Sequence, residues 1–369
     1  MTRIQAEQLR DFGTGLLAEL GAPTDVASTV ADSLVAADLR GHTSHGVLRI
    51  PTYGAMIGDG ALVPDATPAV VRAQEQTAVI DGKRAFGQVV GRRAVDVLVE
   101  NAREGGLAGV GIRNGTHLGR IGEWAECVTE EGLCFASFVN TSGGGLVVAP
   151  AGSTTRRFST NPLTYGVPTF DRLPFPLVLD MATSQVAHGK LDAYQADGRS
   201  IPGEWAVGDD GAPLTDPAAM DAFSAADPWG AIRPLGGTTA GYKGTGLALM
   251  TELFAGLLGG GPVVGQRDSG SWFSNGAVFL AIDPTAFSDR ETMTAQVDAV
   301  VTHFREADSH PDVPVGAGAR GEDPLLPGEA EYQARRNRSE EGIPLPTEVT
   351  AGLSELAAEY DVANPLAED

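Results

Sequence analysis

The stretch Gly109-Val-Gly-Ile-Arg-Asn-Gly115 decides which fold this chain can have. It continues an apolar run, and of all the glycine-containing segments it comes nearest to the Gly-x-Gly-x-x-Gly pattern of common dinucleotide-binding domains. Its third glycine comes one residue too late for that pattern, and no helix is predicted at the required point. A standard Rossmann domain is therefore not expected, and a nicotinamide cofactor would have to be held in another way.

The residues around this stretch predict a strand, a helix and a second strand. The first strand covers Ala108 to Ile112, the helix runs from about Ile121 to Glu130, and the next strand covers Leu133 to Val139. His117 falls between a strand end and a helix start, where α/β proteins often bind ligands and free backbone N–H groups favour anions. The alternative interpretation of His117 is a helix N-cap, a role that Thr116 could share.

Alternating strands and helices continue on both sides and predict an α/β fold. Asp180 follows a buried strand, where it could bind a ligand or cap the next helix. Lys243 lies between glycines before an apolar helix, a position suited to binding phosphate or carboxylate. The other expected elements are strands at Thr77 to Ile80, Pro176 to Leu179 and Ala277 to Ile282, and helices at Gln88 to Arg103, Ser184 to Ala193, Leu247 to Leu258, Met293 to Phe304 and Thr347 to Tyr360, with a polar segment at 306–323 and a charged one at 329–341.

Two amphipathic helices are predicted to open the chain. Leu9, Phe12 and Leu16 recur at helical spacing, and a second periodic segment starts after Pro23. Gly41 is well placed to end the second helix, and a third short helix is expected near 51–57.

The segment Asp38-Leu-Arg-Gly-His-Thr-Ser-His-Gly-Val-Leu-Arg49 at that helix exit carries the residue types of a reactive site. Histidine titrates near neutrality, and arginine offers a rigid charged fork that fits a carboxylate. His42 and His45 are three residues apart, but no Glu or third His follows at the spacing of a zinc protease, so metal catalysis is not expected. The cluster predicts acid/base chemistry on a small carboxylic acid, although His45 could also be a structural helix-terminal residue.

Composition narrows the class of protein. The chain has 369 residues and a formal net charge of −22, which argues against nucleic acid or an anionic membrane as partner. No apolar run reaches the length of a membrane helix, and the N-terminus lacks the pattern of a signal peptide, so a cytoplasmic location is expected. Cys127 and Cys134 fit no common zinc or redox spacing and are expected to be buried thiols. The acidic bias with only three lysines suggests adaptation to high salt.

Several ordered motifs together resemble the malate/L-lactate dehydrogenase type 2 family, which includes ureidoglycolate and sulfolactate dehydrogenases and Δ1-piperideine-2-carboxylate reductases. The resemblance spans nearly the whole chain. It rests on Asp38-Leu-Arg-Gly41, Ser44-His-Gly-Val47 with Arg49, Gly115-Thr-His-Leu-Gly119, Thr160-Asn-Pro162, Asp180-Met-Ala-Thr-Ser184, Gly241-Tyr-Lys-Gly244, and Pro327-Gly-Glu329 before Gly342-Ile343.

This resemblance implies a non-Rossmann α/β fold and a homodimer. NAD or NADP would bind a lobe with a largely antiparallel mixed sheet, and a helical lobe would be formed by the N- and C-terminal segments. The expected division is 1–75 for the helical lobe with the substrate motif, 76–290 for the β-rich cofactor lobe, and 291–369 for a C-terminal segment that returns to the helical lobe.

The resemblance also implies roles for individual residues. His117 matches the catalytic proton acceptor, Ser44 and His45 match a proton-delivery pair, and Arg49 and Thr160 match substrate ligands. The expected cofactor contacts are His117, Leu118, Gly119, Arg120, Ile121, Thr141, Asp180, Met181, Ala182, Lys243, Gly328 and Glu329.

The expected activity is hydride transfer between a nicotinamide and a small 2-hydroxy or 2-oxo acid, with no metal, nucleic acid or membrane partner. The enzymatic alternative is a reductase of cyclic imino acids such as Δ1-piperideine-2-carboxylate. Lys190 stands where some imine reductases of this family carry a relay aspartate, which disfavours that alternative. A catalytically silent paralogue is disfavoured as well, because both His117 and Arg49 are present.

Overall fold

The structure is a computed structural model that describes residues 2–196, 198–220, 230–266, 274–316, 319–320 and 323–366. The helices are α1 (Ala6–Glu19), α2 (Thr24–Leu39), α3 (Arg49–Gly58), α4 (Gly87–Gly105), α5 (Gly122–Glu130), α6 (His188–Ala196), α7 (Gly237–Gly259), α8 (Arg290–Arg305), α9 (Glu329–Glu341) and α10 (Thr347–Glu359). The strands are β1 (Thr2–Ile4), β2 (Ala69–Gln74), β3 (Thr77–Asp81), β4 (Leu107–Gly115), β5 (Cys134–Asn140), β6 (Leu163–Val167), β7 (Leu177–Met181), β8 (Ala206–Gly208), β9 (Pro213–Leu214), β10 (Gly230–Ile232), β11 (Asn275–Ile282), β12 (Pro314–Gly316), β13 (Ala319–Arg320) and β14 (Ile343–Leu345).

A seven-stranded mixed sheet forms the centre of the fold. Its order is β2-β3-β4-β11-β5-β6-β7, and β3 and β4 are the one parallel pair in it. The two strands that flank α5, β4 and β5, do not pair with each other, because β11 lies between them and runs antiparallel to both. The expected mixed, largely antiparallel α/β sheet is confirmed, and this order is not that of a doubly wound parallel sheet.

The glycines of 109–115 serve helix packing in this sheet. Val110 and Ile112 point into the core shared with α4 and α5, so Gly111 faces the other side. A Cβ on Gly111 would lie 2.2 Å from the carbonyl oxygen of Leu258 in α7. Gly259 makes the reciprocal approach, with its Cβ position 2.6 Å from the carbonyl oxygen of Ile112. The glycines therefore let α7 lie directly on the strand backbone.

A second core joins the two ends of the chain. It contains the apolar faces of α1, α2 and α3 together with Ile343, Leu345, Leu353 and Ala357. β1 pairs antiparallel with β14, with Ile4 opposite Ile343. The predicted division at residues 75 and 290 remains a prediction.

The predicted helices and strands are largely confirmed, with two corrections. The glycine-rich stretch 241–246 lies inside α7, which begins at Gly237 instead of Leu247. Glycine is required at position 244 of this helix, since a Cβ on Gly244 would lie 2.3 Å from the backbone nitrogen of Leu235. The charged stretch 329–341 is the helix α9, whose Arg338 donates to the carbonyl oxygen of Asp38.

Candidate active site

The segment between α2 and α3 is held in shape by one buried carboxylate. Asp38 is fully buried, and its Oδ2 accepts the backbone N–H of Val47 at 2.8 Å. A Cβ on Gly46 would lie 2.0 Å from Asp38 Oδ1, so only glycine fits at that position. Burial raises the pKa of Asp38 to about 7, against the smaller opposing effects of the Val47 hydrogen bond and of Arg338. This buried contact fixes the path of the chain through the intervening 3₁₀ turn, Thr43–His45.

Ser44, His45 and Arg49 form one connected group on that segment. The hydroxyl of Ser44 lies 2.9 Å from Nδ1 of His45, and Nε of Arg49 donates to the carbonyl oxygen of Ser44 at 2.7 Å. Arg49 begins α3, so its guanidinium group is attached to a fixed element. Desolvation, followed by the positive charge of Arg49, lowers the pKa of His45 to about 3.

His117, from a different part of the chain, lies beside this group. It follows the end of β4, and its ring stacks on that of His45 with centroids 5.3 Å apart and planes inclined by 24°. Desolvation, with smaller contributions from His45 and Arg49, holds the pKa of His117 well below its usual range. Both half-buried rings are therefore neutral at pH 7, which is the state that a general base requires.

Two residues that the sequence did not point to complete the surroundings of His117. The hydroxyl of Tyr53 on α3 lies 2.8 Å from Nδ1 of His117, and Nε2 of Gln88 on α4 donates to that hydroxyl at 2.8 Å. Tyr53 and Gln88 are completely buried, and burial raises the pKa of Tyr53 to about 12. No local sequence pattern identifies Gln88, because it contacts Tyr53 between two helices that are distant along the chain.

Three of the predicted cofactor segments converge at the edge strand β7. Asp180 on β7 accepts the backbone N–H of Gly122 at 2.7 Å through Oδ2 and the hydroxyl of Thr164 at 3.0 Å through Oδ1. On the same strand, the N–H of Val178 donates to the carbonyl oxygen of Pro327 at 3.2 Å. The 117–122 loop, Asp180 and the Pro-Gly-Glu segment are thereby tied into one corner of the fold.

Most other predicted residues lie in or near this corner. Leu118 and Ile121 are buried, Gly119 has the positive φ of +75° that favours glycine, and the N–H of Leu118 donates to Oδ1 of Asn275 at 2.9 Å. The carbonyl oxygen of Thr160 accepts both the N–H and the hydroxyl of Thr183, next to Met181 and Ala182.

Four other residues that the sequence singled out make different contacts. Glu329 is engaged at the start of α9, where its Oε2 accepts the N–H of Leu326 at 2.9 Å. Lys243 projects from α7 into solvent, with Nζ 6.0 Å from the ring centroid of Tyr242. Arg40 binds Glu126, and His42 lies 3.1 Å from Glu331, which gives both residues structural partners.

Two buried polar atoms without partners are consistent with the binding of an anionic ligand. Arg120 is 3% exposed, its Nη2 binds Glu126 at 2.7 Å, and its Nε has no hydrogen-bond partner within the described part of the chain. The Oγ of Ser142, in the turn after Thr141, is buried and likewise has no partner among the described residues. Such groups are costly when unpaired. A cationic guanidinium group and a hydroxyl fit the pyrophosphate of a dinucleotide.

The comparisons with known proteins decide the family. The profile of the malate/L-lactate dehydrogenase family matches residues 4–354. The chain belongs to the malate/L-lactate dehydrogenase family. Within this family, it is 33% identical over 367 residues to a malate dehydrogenase of Pyrococcus abyssi, covering 98% of this chain and 95% of that protein.

Solved structures of malate/L-lactate dehydrogenase relatives share the fold over almost the full length. Malate dehydrogenase of Entamoeba histolytica superposes with a TM-score of 0.90 at 27% identity and covers 99% of both chains. Δ1-Piperideine-2-carboxylate reductase of Pseudomonas syringae superposes with a TM-score of 0.80 at 28% identity, covering 97% of this chain and all of that one. The family resemblance inferred from the motifs is confirmed, and the chain is an enzyme of a family that acts on CH–OH groups.

The described residues also bear on two expectations from composition, on membrane helices and on the cysteines. Among them, no helix is long and apolar enough to cross a membrane. Cys127 and Cys134 are free and half-buried, not fully buried as the sequence suggested. Burial raises the pKa of both thiols, which keeps them protonated and unreactive near neutrality.

Proposed function

We propose that the protein is an NAD(P)-dependent oxidoreductase that interconverts a small 2-hydroxy acid and its 2-oxo acid. The observation that carries this proposal is the stack of two neutral imidazole rings, His45 and His117, beside the guanidinium group of Arg49. A neutral base beside a permanent cation suits a substrate that carries a hydroxyl group next to a carboxylate.

The protein groups have separable roles in the proposed reaction. Arg49 binds the substrate carboxylate and orients the carbinol carbon, and Thr160 is the second proposed substrate ligand. His117 accepts the hydroxyl proton during oxidation and returns it during reduction. The bound nicotinamide supplies the hydride chemistry.

The Tyr53 oxygen lies 2.8 Å from Nδ1 of His117 and accepts a hydrogen bond from Gln88. We propose that Tyr53 holds the tautomer of His117 with its proton on Nδ1, so that the neutral ring presents Nε2 as the base. Ser44 and His45 form the neighbouring pair that can pass the proton on.

The proposed cofactor ligands are the segments that meet at β7, with the addition of Lys243. Arg120 and Ser142 supply polar atoms that have no partner among the described residues, and the other proposed ligands are His117 to Ile121, Thr141, Asp180 to Ala182, Gly328 and Glu329. The choice between NAD and NADP remains open. The location that we propose is the cytoplasm.

We further propose that two chains associate through α7. In its 23 residues, Lys243 and the buried Glu252 are the only charged side chains. Its outward face exposes Tyr242, Leu247, Leu249, Met250, Leu253, Leu257 and Leu258. A second copy is the proposed occupant, because an uncharged face of this kind can pack on its own symmetry mate without burying any of the protein's many carboxylates.

Two substitutions test the proposed reaction. His117→Ala should abolish turnover while cofactor binding, measured by nicotinamide fluorescence titration, is largely kept. Arg49→Ala should chiefly raise the KM for the acid. If His117→Ala kept most of the activity, His45 would become the proton carrier. Reduction of Δ1-piperideine-2-carboxylate without turnover of pyruvate or oxaloacetate would favour the imine reductase instead.

A further inference from the structure

A cavity of about 770 Å³ adjoins the candidate active site and has no role in the proposed reaction so far. Its wall includes Met181 and Ala182, two of the proposed cofactor contacts, together with Ser184 on the same segment. Lys190 and Tyr194 of α6 and Trp205 also line the cavity. One cavity is therefore shared by the cofactor segment and a group of polar and aromatic side chains.

The contacts of α6 connect this cavity to the reactive group. A Cβ on Gly189 would lie 2.7 Å from Cβ of Ser44, so the first turn of α6 packs directly on the Ser44–His45 segment. Lys190 is the next residue along this helix. The 181–184 segment, which also lines the cavity, is fixed to Thr160 through Thr183, whose N–H donates to the Thr160 carbonyl oxygen at 2.9 Å. Both lining segments are thus tied to residues that we place at the substrate.

Lys190 is a cation whose charge is available to a ligand. Its side chain is exposed to the cavity, and its Nζ lies 5.8 Å from the centroid of the Trp205 ring. It forms no ion pair with any carboxylate that the structure describes, and Glu204 is the acidic residue that shares the cavity wall. In a chain with a net charge of −22, this ammonium group is a local positive site in an acidic surrounding. An aromatic ring can hold an ammonium group in place without neutralising it.

We propose that this cavity holds the far end of the substrate and that Nζ of Lys190 binds a second acidic group there. The inference rests on the proposed function, in which Arg49 binds the carboxylate next to the reacting carbon. Two cations, one on α3 and one on α6, then span the substrate from its two ends. The preferred substrates are 2-hydroxy and 2-oxo acids with a second oxyanion, such as a carboxylate on the neighbouring carbon.

The test compares two 2-oxo acids that differ by that second group. Oxaloacetate carries it and pyruvate lacks it, and both are assayed with NADH and NADPH. The variants are Lys190→Met, which keeps an unbranched side chain one heavy atom shorter and removes the charge, and Lys190→Arg, which keeps the charge. Lys83→Met is the control, because Lys83 is an exposed lysine at the β3–α4 connection.

In Lys190→Met, the ratio of kcat/KM for oxaloacetate to that for pyruvate should fall at least about tenfold, the usual scale of one charge-assisted hydrogen bond. Lys190→Arg should recover much of that ratio, and Lys83→Met should not change it. An unchanged ratio in Lys190→Met would overturn the proposal, and an equal loss on both acids would instead assign Lys190 to positioning Ser44. If the unsubstituted chain reduced neither acid, the proposed function itself would fail.

Discussion

At the scale of single residues, the environment of His117 explains how a histidine can act as a base in a protein interior. Desolvation and the nearby positive charge of Arg49 keep the ring neutral, while the Tyr53 hydroxyl binds Nδ1. The same groups make protonation costly. In the proposed reaction, a carboxylate bound to Arg49 would offset its charge, so substrate binding would raise the proton affinity of His117 for the reduction.

Replacement of Tyr53 by Phe tests this arrangement. The change removes the hydroxyl that orients the ring and keeps nearly the same volume in the core. We expect kcat to fall about a hundredfold with little change in cofactor Kd, because a small misplacement of a catalytic group has effects of that order. Stopped-flow hydride transfer measures the effect, and Tyr360→Phe serves as the control. Full activity in Tyr53→Phe would show that Tyr53 does not position the base.

The reactive residues and their partners differ in how far they could be predicted. His117, Ser44, His45 and Arg49 stand in short motifs with unusual composition, so they could be singled out and their meeting expected from the family resemblance. Gln88 could not be predicted, because its polar contact is with Tyr53, which lies 35 positions away on another helix. A contact between two helices that are distant in sequence leaves no local pattern.

At the scale of elements, the α2–α3 connection is built around a carboxyl group that is uncharged over part of the physiological range. The folded pKa of about 7 lies above the ordinary value of 3.8, so the folded state binds the proton more tightly than the unfolded state does. The free energy of unfolding therefore decreases as pH rises from about 4 to 7, as far as Asp38 is concerned. Below pH 4 this group has no effect on the slope.

Asp38→Asn should remove that contribution to the pH dependence. The amide oxygen can still accept the Val47 N–H, and the side chain stays neutral at every pH. We expect the free energy of unfolding of the variant minus that of the parent chain to increase between pH 5 and pH 8. Urea unfolding at a series of pH values measures this difference. Asp59→Asn, at an exposed position, is the control. Parallel stability curves for Asp38→Asn and the parent chain would contradict the assigned cause.

Helix boundaries show where local sequence patterns stop being informative. The amphipathic helices α1, α2 and α4 were predictable because their apolar spacing is regular. The stretch 241–246 was not, since glycine is a poor helix former in general, and the close approach of Leu235 that requires glycine at position 244 leaves no local pattern. The strand order could not be predicted either, because no local sequence pattern indicates that β11 lies between β4 and β5.

At the scale of the whole molecule, the distribution of charge is uneven. The chain carries 48 acidic residues, yet the exposed face of α7 contains none of them. Large apolar surfaces that avoid charge are typical of sites where proteins associate. Adaptation of the remaining acidic surface to high salt stays a prediction.

Leu257→Glu tests the proposed association, since Leu257 is 75% exposed on α7. Two copies of the new carboxylate would face each other across a symmetric interface, so the mass measured by light scattering after gel filtration should shift from dimer to monomer. Phe287→Glu is the matched control. Phe287 is 76% exposed, similar to Leu257, and it follows the C-terminal end of β11 instead of lying on α7. The proposed interface would be rejected if Leu257→Glu retained the dimer mass, or if the parent chain were itself a monomer.

The pairing of β1 with β14 has a consequence for the order in which the protein can be made. The core around the first three helices is completed by Ile343, Leu345 and Leu353, and Arg338 donates to the backbone at Asp38. A ribosome has to release the chain as far as these residues before the contacts can form. The α2–α3 connection therefore gains its contact with Arg338 only after α9 has been synthesised, and until then the nascent helices expose apolar surface that a chaperone can bind.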